Sequence, residues 1–536
     1  MIQTSNLTLE FGGTSLFEDV SVKFIPGNCY GLIGANGAGK STFLKLLSKE
    51  LLPSNGEIIL ESRKRIAVLK QDQFAYDAYS VIETVFIGHS ELYPIYKERN
   101  DLYSKDDLSD SEGERIGELE SEFAELDGYS LESEAATLLS DLGIAEDLHE
   151  KQMCELESGQ KVRTLLAQAL FGNPDILLLD EPTNQLDYVT VLWLEKFLMD
   201  FKNTVIIVSH DRHFLNKVCT HIADLDYKKI KLYVGNYDFW EKSSELASQQ
   251  IKDQHKKQED KVKELEAFIR RFSANASKSK QATSRKKLLE KIRPEDIVAT
   301  SRRSPFIHFK QNRPCGDKIA TIENISAEID GEPVLKDVSF RIDKGDKIAI
   351  VSKNSLSKTA LLDIISGSVA PKTGQIEWGS SISQNYFPKD NTEFFQKKDS
   401  LLDWLQNYSN VNDDQLIRGL LGRMLFSGDD VHKSTNVLSG GEKARCMFSK
   451  LMLTESNCLL FDEPTDHLDL ESISALNEGL INFPGILLVS SHDIQLLNTV
   501  CNRVIEVTPK GMLDVKSTFS DFIENESIAK KRKTLY

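Results

Sequence analysis

The sequence predicts an α/β fold laid down twice in tandem, the two copies joined by a helical hairpin. Three observations carry this expectation. One motif set occurs twice in the same order, each copy has short apolar runs that end in acidic residues, and the stretch between the copies has a helical pattern and no strand pattern. At 536 residues the chain exceeds what one core supports and suits two domains of roughly 200 residues or more.

The first copy is expected over residues 1–240. The repeat begins at residues 7–11, which align with 325–329, and leads to Gly34-Ala35-Asn36-Gly37-Ala38-Gly39-Lys40-Ser41-Thr42, a complete P-loop. Glycines there let backbone N–H groups surround phosphates, while Lys40 reaches the β and γ oxygens and Ser41 offers its hydroxyl to Mg²⁺. Further on, Ile176-Leu177-Leu178-Leu179 is an apolar run of the length of a buried parallel strand and ends in Asp180-Glu181. Ligands of such sheets bind at the carboxyl ends of the strands, so Asp180 is placed to hold hydrated Mg²⁺ and Glu181 to polarise an attacking water. His210, after another apolar strand, is placed to contact a γ-phosphate.

The repeat has a spacing of 318 from Lys40 to Lys358 and of 282 from Asp180 to Asp462, so the first copy holds 36 extra residues between Gln71 and Leu156. These fall within residues 86–128, which read as two charged helices joined by a polar turn, a helical arm. Residues 241–305 read as a basic hairpin of two antiparallel helices with a small-residue tip. Arg270, Arg271, Lys278, Lys280, Arg285, Lys286 and Lys287 make that tip a local positive probe, the candidate contact for RNA. The second copy is expected over 306–525, and the basic residues 526–536 are expected to form a disordered tail.

Composition sets limits. A net charge of −17 argues against a uniformly basic nucleic-acid coat, so any such partner must meet a local patch. Seven scattered cysteines, with no C-x-x-C pair, suit reduced thiols in a cytosol. There is neither a signal-peptide pattern nor an apolar run long enough for a membrane span, which predicts a soluble, cytoplasmic protein.

Leu438-Ser439-Gly440-Gly441-Glu442 opens a helix upstream of the second acidic pair, Asp462-Glu463, and its counterpart is Leu156-Glu157-Ser158-Gly159-Gln160. With P-loop, glutamine, signature, acidic pair, Asp187 and His210 in order and twice, the chain resembles the ATP-binding cassette ATPases over nearly all its length. Tandem cassettes without a membrane domain and with a charged linker resemble the ABC-F family of ribosome-associated translation factors. Arg271-Phe272-Ser273-Ala274-Asn275-Ala276-Ser277-Lys278-Ser279 is similar to the linker of its YbiT-like branch. The resemblance implies two tandem P-loop ATP-binding cassette domains, ATP and Mg²⁺ as ligands, Ser41, Asp180 and Gln71 around the metal, and a monomer without a transmembrane partner. It also implies a linker that reaches rRNA and peptidyl-tRNA on the ribosome.

In that family each ATP lies between one P-loop and the opposite signature. Site one then joins Phe11, which stacks on adenine, residues 34–42, Gln71, Asp180, Glu181 and His210 with Ser439, Gly440, Gly441 and Glu442. Site two joins Lys358, Thr359, Asp462, Glu463 and His492 with Ser158, Gly159 and Gln160, but departs from the pattern. Ser352, Ser355 and Ser357 replace the P-loop glycines, Lys389 the glutamine, Ile329 the aromatic, and Glu157 and Ser158 the usual Ser and Gly. If those glycines are left-handed, serine in their place costs roughly 1 to 2 kcal/mol each. Gln185 and Asp466 also depart from the family pattern, with no clear physical consequence. The expected function is ATP-dependent ribosome binding that modulates translation, with hydrolysis mainly at site one. The alternatives are a ribosome-protection antibiotic resistance factor and a non-ribosomal ABC interaction module.

Overall fold

The computed structural model describes residues 1–533 except 63, 71, 106–108, 185, 273–283, 285–288, 290–301, 330 and 410–412. Gln71, Gln185, Lys278, Lys280, Arg285, Lys286 and Lys287 therefore lie outside the described residues, as do the side chains of Phe11 and Arg271.

Both halves are mixed α/β units with one central sheet in the same strand order. In the first half that order is Lys229–Val234, His221–Asp226, Cys29–Gly34, Thr204–Val208, Ile176–Asp180 and Ile66–Val68. In the second it is Gly511–Val515, Arg503–Thr508, Lys347–Val351, Ile486–Ser490, Cys458–Asp462 and Gln384–Phe387. All neighbours pair parallel except the terminal hairpin of each half. Continuous apolar runs such as Thr204–Val208 and Ile486–Ser490 are buried on both faces, as parallel strands require. In register, Leu32 pairs with Val208 and Val208 with Asp180. Two strand ends thus finish level and the third, at Gly34, runs two residues further, which gathers the residues that follow them.

A smaller antiparallel sheet packs beside each central one, built on Ile2–Phe11 in the first half and Ala320–Ile329 in the second. Between the two sheets of the first half sits the helix Lys40–Leu47, with Phe43, Leu44, Leu46 and Leu47 buried.

Residues 86–128 contain the helices Leu92–Tyr103 and Asp110–Glu125, the second capped by a reciprocal Ser109 and Glu112 pair. A chain of rings joins them to the body: Phe171 to Phe86 at 6.2 Å, Phe86 to Tyr96 at 5.2 Å, Tyr96 to Phe123 at 6.5 Å. Arg99 lies 4.3 Å above Phe123. One helix, Tyr237–Phe272, spans 36 residues and leaves the body of the first half with Tyr237 and Trp240 buried at its base. It opens four residues before position 241, because these two rings pack into the first half. Arg270, near its far end, is exposed.

The C-terminus departs from expectation. Residues Glu526–Lys533 form a helix instead of a disordered tail. Ile528 is buried, and Arg532 bonds Glu506 at 2.7 Å and lies 5.0 Å above Tyr188 of the first half. Glu506 is 0% exposed and also accepts the Tyr188 hydroxyl at 3.2 Å, so it demands a cation that composition alone did not reveal. Among the described residues no helix is long and apolar enough to cross a membrane.

Removing Arg532 strands a buried carboxylate. Arg532→Met is expected to lower stability by about 3 kcal/mol in urea unfolding, with Glu506→Gln in the same chain restoring most of it.

Candidate functional site

The loop after Cys29–Gly34 turns on two left-handed glycines, Gly37 at φ 78° and Gly39 at φ 100°. A Cβ at Gly39 would lie 2.7 Å from Leu16 and 2.9 Å from Phe17, whereas one at Gly37 would meet nothing within 4 Å. The helix that follows starts at Lys40, and no side chain caps it. Its first N–H groups and the loop amides are therefore open to an anion. Lys40 is 8% exposed and donates to its own loop carbonyls, Gly34 at 2.8 Å and Ala35 at 3.3 Å. Burial holds its pKa below the usual lysine value, against the opposing charge of Glu181.

The matched segment of the second half is a different structure. Its helix begins at Ser355, the position equivalent to Gly37, and runs to Ser366. Asn354 caps it by accepting the Leu356 N–H at 2.9 Å. Ser352 accepts the Asn354 N–H at 3.1 Å, and Ser357 donates to the Val334 carbonyl at 2.8 Å. None of the three serines has a positive φ. The strain expected of left-handed serines is thus absent, because the loop has become helix. What is lost is the concave set of amides.

The acidic pairs differ as well. Glu463 is ion-paired to Lys358 at 2.6 Å, the two side chains being 1% and 5% exposed. Thr359 donates to Asp462 at 2.6 Å. Burial raises the Glu463 carboxyl, but His492 and Lys358 outweigh this and hold it at about 2. Since burial keeps His492 itself neutral, at about 4, the positive charge acting on Glu463 near pH 7 is that of Lys358, its ion-pair partner, and of Lys389. In the first half Lys40 does not reach Glu181. That carboxylate accepts the His210 N–H at 3.3 Å and has the His210 ring 3.4 Å away, and its Oε1 lacks a hydrogen-bond partner. Burial, then the charge of Asp180, pushes Glu181 up to about 8, while burial pushes His210 down to about 3. Glu181 and Glu463 are both left-handed, at φ 51° and 47°, a strain shared by the two halves at the strand ends.

The halves meet head to tail. A Cβ at Gly441 would lie 3.9 Å from the Asn36 side-chain nitrogen, so the second signature faces the first P-loop. Ser439 caps that signature helix, with its N–H 2.9 Å from Glu442. In the first signature Glu157 takes the cap position and Ser158 donates to Gln73 at 2.7 Å. Gly159 and Gln160 lie in the first turn of the helix Ser158–Leu170, and the Gln160 side chain accepts the Glu157 N–H at 3.1 Å.

ATP and Mg²⁺ fit the first set of residues. An uncapped helix start, a glycine cradle and a buried carboxylate pair give the donors and acceptors that a metal-bound triphosphate uses. The second set has its lysine, hydroxyl and helix N-terminus already engaged. Sequence reasoning missed Arg212, Asp224, Arg302, Glu506 and Arg532, polar residues between the halves; the spacing of 282 between Asp224 and Glu506 is the signal that marks two of them.

Comparison with known proteins gives the family. The ABC transporter family matches residues 17–184 and again 335–466, and an ABC transporter extension family matches 223–309. The ATP-binding protein YkpA of Bacillus subtilis (strain 168) is 56% identical over 538 residues, with 100% of each chain covered. YbiT of Escherichia coli O157:H7 is 42% identical over 529 residues, covering 98% of this chain and 100% of YbiT. Among solved structures, the archaeal ribosome recycling factor aABCE1, in complex with ribosomal stalk protein aP1, has a TM-score of 0.60 at 18% identity, covering 95% of this chain and 89% of that one. RNase-L Inhibitor has a TM-score of 0.61 at 18% identity, covering 98% and 93%. These two likenesses speak for the fold.

The raised Glu181 pKa makes a pH signature. Its proton is bound more tightly folded than unfolded, so its contribution to stability falls as pH rises from about 4.5, the ordinary glutamate value, to about 8. Without nucleotide, Glu181→Gln is expected to match the native chain in thermal unfolding near pH 5 and to exceed it near pH 8.

Proposed function

Because this chain belongs to the ABC-F family of ATP-binding cassette proteins, we propose that it is an ATPase that binds the ribosome in its ATP state and modulates translation through its interdomain linker. One observation carries the internal division of labour: the first P-loop is an open, left-handed glycine cradle beside a Glu181 that its lysine does not pair, whereas the second is a capped helix whose lysine is spent on Glu463. Hydrolysis belongs to site one.

At that site Lys40 and the amides of residues 34–42 bind the phosphates, and Lys40 exchanges its carbonyl partners for phosphate oxygens. Gly440, Gly441 and the Ser439-capped start of the second signature helix approach from the other side. Ser41, Asp180 and Gln71 would hold Mg²⁺, which when bound supplies positive charge against the β and γ oxygens. Phe11 stacks on the base. Glu181, ionised once the positive charge of a bound metal lowers its raised pKa, would accept a proton from the attacking water, and His210, uncharged, contacts the γ-phosphate.

Site two starts at a disadvantage with a known scale. For Lys358 to bind phosphate it must leave Glu463, and breaking such a buried pair costs about 3 to 5 kcal/mol, two orders of magnitude or more in affinity. The ribosomal partner rests on family membership and on the fold shared with a protein described as a ribosome recycling factor. The cytoplasm is the matching location.

Glu181→Gln is expected to lower steady-state ATP hydrolysis by about 100-fold or more, the scale of a lost general base. Glu463→Gln is expected to change it little; equal losses from the two would refute the asymmetry. In co-sedimentation with purified ribosomes, Glu181→Gln should pellet with ATP and stay in the supernatant with ADP or without nucleotide. Absence from the pellet in all three conditions would refute the ribosomal role.

A further inference from the structure

We propose that Arg302 is a positioning residue that fastens the returning end of the linker to the second cassette's helix beside site one, so that the linker follows cassette closure there. The proposal rests on the assignment of site one to the first P-loop.

Arg302 stands where the chain comes back from the linker. Its guanidinium bonds Asp224, on the central strand His221–Asp226 of the first cassette, and Glu471 at 2.9 Å. Glu471 lies in the first turn of the helix Leu470–Ile481 of the second cassette, which Asp469 caps. The same guanidinium lies 4.6 Å above Trp240, whose indole N–H donates to Asp224 at 3.1 Å. Trp240 belongs to the base of the outgoing linker helix. Arg302, Asp224 and Glu471 are only 11%, 11% and 15% exposed, so the charges are largely withdrawn from water and from screening by salt.

The outgoing root is held to the same helix. Arg212, two residues after His210, donates to Glu241 at 2.9 Å and to Ser474, and lies 5.2 Å from the Tyr237 ring. Glu471 and Ser474 are three residues apart on one helical face. Both ends of the linker therefore grip one face of one helix across the cassette boundary. Just past Arg302, Ile307 packs on that helix so closely that a Cβ at Gly479 would lie 2.9 Å from its carbonyl oxygen.

The opposite interface repeats the device without the linker. Glu506 stands at the position equivalent to Asp224 and Phe522 at that of Trp240, by the spacing that relates Asp180 to Asp462. Arg532 bonds Glu506, lies 5.2 Å above Phe522 and 5.0 Å above Tyr188, the first residue of the helix Tyr188–Asp200. Each interface thus has a guanidinium set between a buried strand carboxylate, an aromatic ring and the opposing helix. The one nearest Lys40, which feels the charges of Glu471, Asp469 and Arg302, continues into the linker. The other ends in the C-terminal helix. When the cassettes part, Glu471 leaves with the second cassette and Arg302 loses that bond while Asp224 and Trp240 stay beside it, which loosens the returning root.

The test uses the full chain with Cys154→Ser, since Cys154 is the exposed cysteine. Spin labels are placed at exposed Lys257 on the linker helix and exposed Asp429 on the second cassette, and their distance distribution is read without nucleotide and across an ATP titration. Arg302→Met is expected to broaden the nucleotide-free distribution and to raise the ATP concentration at half-closure about tenfold or more, as for loss of charge-assisted hydrogen bonds. Arg302→Lys should restore part of both, and Arg532→Met should leave the response of the linker label in place. An Arg302→Met chain with native distances and a native ATP midpoint overturns the proposal. Binding of a fluorescent ATP analogue is measured in parallel. A native chain that binds none overturns the site-one assignment and the ATP coupling together, while the nucleotide-free distances then report the fastening alone.

Discussion

The buried ion pair between Lys358 and Glu463 is the interaction from which the asymmetry of this protein follows. Both halves end a parallel strand in two carboxylates and bury them, and a buried carboxylate must find a cation, hold a proton or take up a ligand. In the second half the P-loop lysine satisfies Glu463 internally, and Thr359 does the same for Asp462. In the first half Lys40 bonds its own loop carbonyls, and Glu181 is left with a pKa of about 8. One site has its lysine and its glutamate engaged with each other; the other engages them only with a ligand that brings positive charge to its acids and negative charge to its lysine and amides.

Backbone chemistry explains why the lysines point to different partners. Gly37 and Gly39 hold left-handed conformations that serine avoids, so a loop with Ser355 and Ser357 does not follow the same path. The chain instead starts its helix three residues earlier, at Ser355, and the Asn354 side chain takes the place of an anion at the helix start. Two substitutions, Ser355 and Ser357, that a strain argument counts at about 1 to 2 kcal/mol each are absorbed by a change of secondary structure.

Much of the fold was legible because its signals are local. The run at 176–181, the glycines of residues 34–39 and the Ser439 signature each specify a strand, a nest or a helix start within a few residues, and their repetition fixed the common sheet order. That the first P-loop faces the opposite signature was only implied by family resemblance; among the described residues Gly441 lies near Asn36. The pair Lys358 and Glu463 was not legible: each residue matches its motif, and only their approach within 2.6 Å reveals that they cancel. The basic residues at 530–533 read as a disordered tail for a similar reason, since the acid that draws Arg532 inward is Glu506, hidden on a strand.

The central claim is that one chain holds one strong nucleotide site. Equilibrium dialysis of radiolabelled ATP against the Glu181→Gln chain, alone and with Lys40→Ala or Lys358→Ala added, counts those sites directly. The account predicts one tightly held ATP per chain, lost with Lys40→Ala and kept with Lys358→Ala. Two equivalent sites, each lost with its own lysine, would contradict it.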